Sequence, residues 1–224
     1  FRSNMTITCK GFLFDLDGTL VDSLPVVEYC WALFGERVGV STQEINNYIH
    51  GKPAIESIRH FMPNATQAQI EETFRWLEKL EATQTEGLAP LPGAIELINR
   101  LNDLAIPWAI VTSGTVPIAS TRQSVTGIPE PKHWVTAECI TQGKPNPEPY
   151  LLGAKKLGLA PEECVVFEDA AAGIYSGLDA GCQVIAVHAP ISLPRRNEID
   201  LIIDSLNYLQ IDKENQQVVI KHKC

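Results

Sequence analysis

The sequence predicts an α/β fold, a parallel β-sheet core with an inserted α-helical domain, and three observations lead to that prediction. First, short runs rich in valine and isoleucine recur along the chain, and they are apolar enough to be covered on both faces. Second, helical patterns separate the later runs, as expected of a parallel sheet with helices on both sides. Third, one long stretch near the N-terminus has helix signals but no convincing strand. The predicted strands lie at 7–15, 108–112, 164–169, 182–187 and 200–204.

Three helices are expected between the later strands, within residues 92–104, 147–159 and 170–181. The first has a proline near its start and apolar residues at helical spacing, and the other two run into the helix-stop residues Gly158 and Gly181. After the last strand, the segment LNYLQIDKENQQVVIKHK predicts a small hairpin at the edge of the sheet.

Residues 25–90 interrupt the alternation of strands and helices. Two capping boxes mark helix starts there, one formed by Ser41 with Glu44 and the other by Thr66 with Gln69. A helical segment of this length, placed directly after the first strand, predicts a separate cap over the core.

The stretch EGLAPLPG (86–93) carries two glycines and two prolines and is interpreted as the hinge through which the chain returns to the core. Residues 66–84, just before it, form a long amphipathic helical pattern. We therefore expect a core made of residues 5–24 and 91–224, with a helical cap at 25–90.

Composition excludes several classes of protein. The net charge is −9 and no lysine or arginine cluster is longer than two residues, which argues against nucleic acid or an anionic membrane as partner. The six cysteines form no CxxC pair and are interpreted as mostly buried thiols in a cytoplasmic protein. No stretch reaches a membrane span and no signal peptide is visible. The residues FRSN before Met5 are interpreted as foreign to the fold.

Unusual polar residues occur at four places where strands are expected to end. In open α/β sheets, sites form at the carboxyl ends of strands, so these residues are expected to meet. Taken singly, each has a plain explanation, because an aspartate after a strand is usually a helix cap and a lone lysine is usually solvated. The residues are Asp15, Asp17, Thr19, Thr112, Ser113, Gly114, Lys144, Glu168 and Asp169.

The chemistry of this set fits phosphoryl transfer onto a carboxylate. An aspartate can act as a nucleophile and form an acyl phosphate, which divides one difficult step into two. Crowded acids require a hard divalent cation, and Mg²⁺ prefers carboxylate and carbonyl oxygens. Asp15 and Asp169 would supply side-chain oxygens and Asp17 its backbone carbonyl. Thr112, Lys144 and nearby N–H groups would hold the phosphoryl oxygens.

The motifs DLDGT, VTSGT, GKPNPEPY and FEDAAAG resemble, in order and context, the four motifs of the haloacid dehalogenase-like superfamily across residues 10–188. The helical insert resembles the C1-type cap of the β-phosphoglucomutase-like branch. PLPGA, VTSGT, GKPNPEPY and VVFEDAAAG are similar to the sugar-phosphate and glycerol-phosphate phosphatases of that branch. The resemblance implies a Rossmann-like core.

The resemblance also implies a role for each motif residue. Asp15 matches the nucleophile and a metal ligand, and Asp17 matches the general acid and base that protonates the leaving alkoxide and then activates water. Thr112 and Lys144 match the phosphate-binding positions, with Lys144 also restraining the nucleophile. Asp169 matches the metal-binding acid of the fourth motif.

The remaining implied positions support the acids or contact the substrate. Glu168 is expected to support the metal site from behind the ligands. In IHGKP (49–53), which is read as the start of a helix, three residues lie where family caps reach the substrate, although a plain helix start explains the stretch equally well. The implied substrate-binding residues are Ser113, Gly114, His50, Gly51 and Lys52.

The leading hypothesis is a Mg²⁺-dependent phosphatase that acts, as a monomer, on small phosphorylated sugars or polyols. The alternative is a sugar phosphomutase of the β-phosphoglucomutase type, which would have to exclude water from the aspartyl phosphate. A catalytically inactive binding module would be expected to lose at least one motif acid. Dehalogenases of the superfamily lack the second aspartate, and phosphonate hydrolases typically carry a small residue there, so Asp17 favours a phosphoester.

Overall fold

The computed structural model describes residues 6–223, so the interpretation of residues 1–4 lies outside the described part of the chain. The described residues form eleven strands: β1 (Thr6–Cys9), β2 (Gly11–Phe14), β3 (Val21–Asp22), β4 (Ala89–Pro90), β5 (Trp108–Val111), β6 (Trp134–Val135), β7 (Cys164–Glu168), β8 (Gln183–Val187), β9 (Leu201–Ile203), β10 (Leu209–Glu214) and β11 (Gln217–His222). They also form eight α-helices: α1 (Leu24–Val38), α2 (Thr42–Ile49), α3 (Ala54–Phe61), α4 (Gln67–Thr83), α5 (Ala94–Asp103), α6 (Val116–Thr126), α7 (Glu148–Lys156) and α8 (Ala171–Asp179).

A six-stranded parallel sheet forms the core, in the order β6-β5-β2-β7-β8-β9. Strand β2 lies near its centre, and all four residues of β2 are buried. Helices cover both faces because successive side chains of a strand point to opposite sides. Phe12 and Phe14 pack with α5 on one face, while Leu13 packs with α7 and α8 on the other. The predicted α/β fold is confirmed.

The prediction of one strand over residues 7–15 is wrong, because the chain changes sheet at Lys10. Strand β1 pairs antiparallel with β11 in a separate three-stranded sheet, and β2 enters the parallel sheet. At the break, the exposed ammonium of Lys10 forms an ion pair of 2.8 Å with Glu163. The hairpin expected at the end of the chain is present as β10 and β11. Its predicted place at the edge of the parallel sheet is wrong, because it forms a separate sheet with β1.

Helices α1 to α4 form a cluster of their own between β3 and β4. Their apolar faces meet in a core that includes Trp31, Phe34, Ile58 and Leu77. The predicted capping box at Thr66 is present at the start of α4, and Ser41 accepts the expected bond from the backbone of Glu44 at the start of α2.

The two chain crossings between the helical cluster and the sheet lie side by side. Strand β3 carries the chain out and β4 carries it back, and the two pair antiparallel, with Val21 opposite Pro90. The short strand β4 falls inside the stretch predicted to be a hinge without a strand. Within residues 6–223, no helix is both long and apolar enough to cross a lipid bilayer.

The cysteines are mostly buried, as predicted. Cys9, Cys30, Cys164 and Cys182 are buried free thiols, and Cys139 is exposed. Cys224 lies outside the described residues.

Candidate active site

The carboxyl ends of three neighbouring strands bring the predicted polar residues together. Phe14 of β2 is level with Ile110 of β5 and with Phe167 of β7, so the residues that follow these strands emerge at the same edge of the sheet. The backbone N–H of Asp15 donates to the carbonyl of Phe167 at 3.0 Å, which fixes the start of the loop. The convergence expected from the sequence is therefore present for the strands β2, β5 and β7.

Lys144 reaches this edge from a loop, and the expectation that it ends a strand is wrong. It lies well after β6, in the loop that leads into α7. Its side chain is 1% exposed, and its Nζ donates to Asp15 Oδ1 at 3.0 Å, to Glu168 Oε1 at 2.6 Å and to the carbonyl of Val111 at 2.9 Å. A buried ammonium thus connects two of the predicted acids.

Three carboxylates lie close enough to bind one cation. Asp15, Glu168 and Asp169 each offer an oxygen, and these oxygens lie within 4.8 Å of one another. The hydroxyl of Thr19 donates to Asp15 Oδ2 at 3.2 Å and lies 3.4 Å from Asp169 Oδ1. Gly18 is required here, because its φ is +83° and a Cβ would lie 2.0 Å from Asp169 Oδ2.

The pKa values show that negative charge is in excess at this cluster. Burial, together with the charges of Asp15 and Glu168, raises the pKa of Asp169 well above its usual value. Burial and Asp15 likewise raise the pKa of Glu168, against the opposing effect of Lys144. Burial alone would lower the pKa of Lys144, but the two carboxylates outweigh it and raise that pKa above its usual range. Three oxygen donors with this charge fit a hard divalent cation such as Mg²⁺.

Glu168 has further partners behind the cluster. Its Oε1 accepts hydrogen bonds from Lys144 and from the hydroxyl of Tyr150, and its side chain is 1% exposed. Glu168 therefore anchors the ammonium that also contacts Asp15, and it offers a carboxylate to the cluster.

Asp17 points away from the other acids, towards an arginine. Its Oδ1 lies 2.6 Å from Nε of Arg122, which is carried by α6, and the angle at these atoms departs from that of a hydrogen bond. The same guanidinium donates from Nη2 to Glu81 of α4 at 3.2 Å. Asp17 thus pairs with Arg122, whereas Asp15 pairs with Lys144.

A cavity of about 430 Å³ opens between the sheet edge and the helical cluster. Nine of the predicted site residues line it, while Lys144 and Glu168 lie behind its wall. The lining residues among those predicted are Asp15, Asp17, Thr112, Ser113, Gly114, Asp169, His50, Gly51 and Lys52. The hydroxyl of Thr112 is oriented by the N–H of Gly114, which donates to it at 3.1 Å.

Residues 50–53 form the loop between α2 and α3, so the reading of IHGKP as the start of a helix is corrected: helix α3 begins at Ala54. Gly51 has a φ of +76°, and a Cβ there would lie 2.8 Å from Ala170, beside the acid cluster. Its carbonyl accepts from the hydroxyl of Ser113 at 3.4 Å. The loop therefore rests directly on the sheet edge.

His50 and Lys52 of this loop, both predicted to contact the substrate, have different surroundings. The ammonium of Lys52 lies 3.5 Å from the centre of the Tyr48 ring, a cation–π contact. Burial lowers the pKa of His50, opposed by the charge of Glu28.

A family model described as haloacid dehalogenase-like hydrolase matches residues 9–181. The chain belongs to this family. The match covers the strands that carry the acid cluster and the helical cluster between them, so the resemblance inferred from the four motifs is confirmed. As a member of a hydrolase family, the chain does not fit the interpretation as an inactive binding module.

Relatives with known names match nearly the whole chain. Hexitol phosphatase A of Escherichia coli (strain K12) is 56% identical over 214 residues, which is 95% of this chain and 99% of the relative. Glycerol-1-phosphate phosphohydrolase 2 of Saccharomyces cerevisiae is 33% identical over 95% of this chain and 89% of its own. A solved structure of a putative β-phosphoglucomutase from Bacteroides vulgatus has a TM-score of 0.74 and 30% identity, over 88% of this chain and 84% of that one.

Three residues at the site were not predicted from the sequence. Tyr150 lies inside a motif that was recognised, but its contact with Glu168 depends on the fold. Arg122 and Glu81 lie outside every motif. Arg122 lies on a face of α6 that the structure shows to be buried, with Ile118 and Thr126, and the weak apolar pattern of this helix gives no clear signal for it in the sequence.

Proposed function

We propose that this protein is a Mg²⁺-dependent phosphatase that hydrolyses hexitol phosphates and related polyol or sugar phosphates through an aspartyl phosphate. One observation carries the proposal: the carboxylate of Asp15 lies at the end of β2, held by Lys144 and Thr19, and faces the cavity. A nucleophile must be ionised and oriented before the substrate arrives. The contacts with Lys144 and Thr19 together restrict the rotation of the carboxylate.

In the first step, Asp15 attacks the phosphorus of the substrate and the bond from phosphorus to the alkoxide oxygen breaks. Thr112 and nearby backbone N–H groups stabilise the phosphoryl oxygens. Lys144, which donates to Asp15, Glu168 and the Val111 carbonyl from behind the cavity wall, restrains the nucleophile. Asp17 gives its proton to the leaving alkoxide, because an alcohol of high pKa leaves poorly as an anion. The products of this step are the free polyol and an aspartyl phosphate.

In the second step, a water molecule replaces the polyol in the cavity. Asp17, now ionised, takes a proton from this water as the water attacks the phosphorus. The acyl phosphate bond breaks, inorganic phosphate leaves and the Asp15 carboxylate is restored. Asp17 thus returns to its protonated state and the cycle is complete.

The cation would be held by Asp15, Asp169 and the backbone carbonyl of Asp17, and it would neutralise charge on the transferring phosphoryl group. The crowding of carboxylates and the raised pKa of Asp169 support this part of the proposal. Glu168 would act from behind, by holding Lys144 against Asp15.

Residues 25–90 would form the cap and residues 5–24 and 91–224 the catalytic core. The separate apolar cluster of α1 to α4 and the paired crossings β3 and β4 support this division. His50, Gly51 and Lys52 of the cap, with Ser113 and Gly114 of the core, would contact the polyol and phosphate. The expectations of a cytoplasmic monomer remain predictions.

The substrate class is supported by the names of the relatives, a hexitol phosphatase at 56% identity and a glycerol-1-phosphate phosphohydrolase at 33%. The test is the release of inorganic phosphate from a panel of hexitol, pentitol, glycerol and sugar phosphates with Mg²⁺. We expect polyol or sugar phosphates to be hydrolysed and Asp15→Asn to be inactive on all of them. Absence of hydrolysis across the whole panel in the folded parent protein would refute the proposal.

A sugar phosphomutase remains the alternative, supported by the similarity to a putative β-phosphoglucomutase structure. A mutase transfers the phosphoryl group back to a sugar, whereas a phosphatase transfers it to water. Stoichiometric phosphate release without a sugar bisphosphate favours hydrolysis. Isomerised sugar phosphate, formed only when a bisphosphate is added, would favour the mutase.

A further inference from the structure

Arg122 is a charged residue in a place where the fold excludes water. Its side chain is 1% exposed, and on α6 it lies between Ile118 and Thr126, which are also buried. A guanidinium in such a place destabilises the fold unless carboxylates compensate for its lost hydration. Two carboxylates do so, and they come from different parts of the molecule.

The guanidinium connects the core acid Asp17 with Glu81 of the helical cluster. Nε lies 2.6 Å from Asp17 Oδ1, and Nη2 donates to Glu81 Oε2 at 3.2 Å. The adjacent hydroxyl of Thr121 donates to the carbonyl of Ala82 at 2.9 Å, so α4 and α6 are joined at two successive positions. The position of Arg122 is therefore set by α4 as well as by its own helix.

We propose that Arg122 is a positioning residue for Asp17, and that Glu81 holds the guanidinium in the position this requires. The proposal rests on the proposed function, in which Asp17 donates a proton to the leaving group. The side chain of Asp17 is 35% exposed at the cavity and would otherwise sample several orientations. Contact with a fixed arginine reduces the number of these orientations, and proton transfer requires a defined alignment of the acid.

A role in stability alone explains this arrangement poorly. A buried ion pair is on average no more stabilising than an apolar replacement of similar volume, since the desolvation of both charges offsets their attraction. Both Arg122 and Glu81 also line the cavity, together with Asp17. A role in proton transfer can be distinguished from a general loss of stability by how activity depends on the leaving group.

Substituted phenyl phosphates provide this measurement, because their rings are similar in size while the pKa of the leaving phenol varies. The quantity to measure is kcat/KM, which reports steps up to the formation of the aspartyl phosphate. For Arg122→Lys we expect a loss of about 10- to 100-fold with phenyl phosphate and less than about 3-fold with 4-nitrophenyl phosphate, because only the poor leaving group needs the proton. Glu81→Gln should show the same trend at about 3- to 10-fold.

The matched control is Arg100→Lys on α5. Arg100 is half exposed and lies 3.6 Å from Asp212, away from the cavity, so its substitution should leave the whole series unchanged. If Arg122→Lys fails to fold, as judged by circular dichroism, the nearly isosteric Glu81→Gln carries the comparison. Equal losses across the series in Glu81→Gln and Arg122→Lys would overturn the proposal.

A double-mutant cycle then tests whether Arg122 acts through Asp17. In an Asp17→Asn background, adding Arg122→Lys should lower kcat/KM by less than about 2-fold, because the group that it positions is already lost. The full single-mutant loss in that background would indicate direct contact with the substrate and would also overturn the proposal. Failure of the proposed function is a different result, since the parent protein itself would then release no phosphate.

Discussion

Replacing Lys144 by methionine should strongly destabilise the metal-free protein. Methionine keeps much of the length of the side chain but has no charge and no donor. The structure shows that Asp15 Oδ1, Glu168 Oε1 and the Val111 carbonyl would each lose a contact of 2.6 to 3.0 Å. Removing one partner of a buried ion pair costs about 3–5 kcal/mol, because the remaining charges stay buried without compensation. This is a large part of the roughly 5–15 kcal/mol that stabilises a typical domain.

The assay is urea unfolding followed by circular dichroism, in the presence of a chelator and again with Mg²⁺. Lys10→Met is the matched control, because Lys10 forms an ion pair of similar length, 2.8 Å with Glu163, but is 49% exposed. An exposed pair contributes about 0–1 kcal/mol, so the control should remain close to the parent protein. Mg²⁺ should restore part of the stability of Lys144→Met, since a bound cation stabilises the folded state by mass action.

The result that would refute this reasoning is a loss below about 1 kcal/mol for Lys144→Met in the metal-free protein, similar to that of the control. It would mean that the ammonium does not compensate the charges of Asp15 and Glu168. The assignment of Lys144 as the residue that orients the nucleophile would then have no electrostatic basis.

Four further predictions follow from the same site. Asp15→Asn should reduce turnover below detection in a protein that still folds; measurable phosphatase activity in the folded variant would contradict the covalent step. Activity should be lost with a chelator and restored by Mg²⁺ but hardly by Ca²⁺, whose longer bonds and higher coordination number alter the geometry; full activity without metal would disprove the cation site. Burial and Asp15 raise the pKa of Glu168 from 4.5 to about 7, so the folded metal-free protein binds this proton more tightly than the unfolded chain, and the resulting stability is complete below about pH 4.5 and lost as the pH rises through about 7. Unfolding of the parent and of Glu168→Gln should therefore differ in pH dependence across this range, and identical profiles would argue against the shift. The double variant His50→Ala/Lys52→Ala should raise KM and change the order of preference among polyol and sugar phosphates, while an unchanged order would place specificity elsewhere in the cavity.

The acid cluster could be predicted from the sequence because parallel strands place their carboxyl ends at one edge of a sheet. Apolar runs identify β2, β5 and β7, and the polar residues that follow Phe14, Val111 and Phe167 must then emerge near one another. The residue types in the motifs, which are acids, a hydroxyl and a lysine, then indicate phosphoryl transfer. The convergence depends only on these strands being neighbours in the sheet.

Other features depend on where the chain turns, which local pattern does not determine. The apolar pattern of residues 7–15 is compatible with one strand or with two. The break at Lys10 results from the pairing of β1 with β11 at the far end of the chain. Lys144 likewise reaches Asp15 through a loop of irregular structure before α7. The sequence shows that Lys10 and Lys144 carry ammonium groups, but only the fold shows where these groups lie.

The residues that the sequence did not reveal at all come to the site from helices. Whether a helix residue reaches the cavity depends on the angle at which α4 packs on α6, and the spacing of apolar residues along one helix does not encode that angle. Arg122 is buried on α6 with Ile118 and Thr126, and a buried guanidinium requires a carboxylate partner. The fold identifies the partners as Glu81, 41 residues away, and Asp17 at the catalytic edge. Since the first partner belongs to the helical cluster and the second to the core, this pairing makes the orientation of the acid depend on the position of α4.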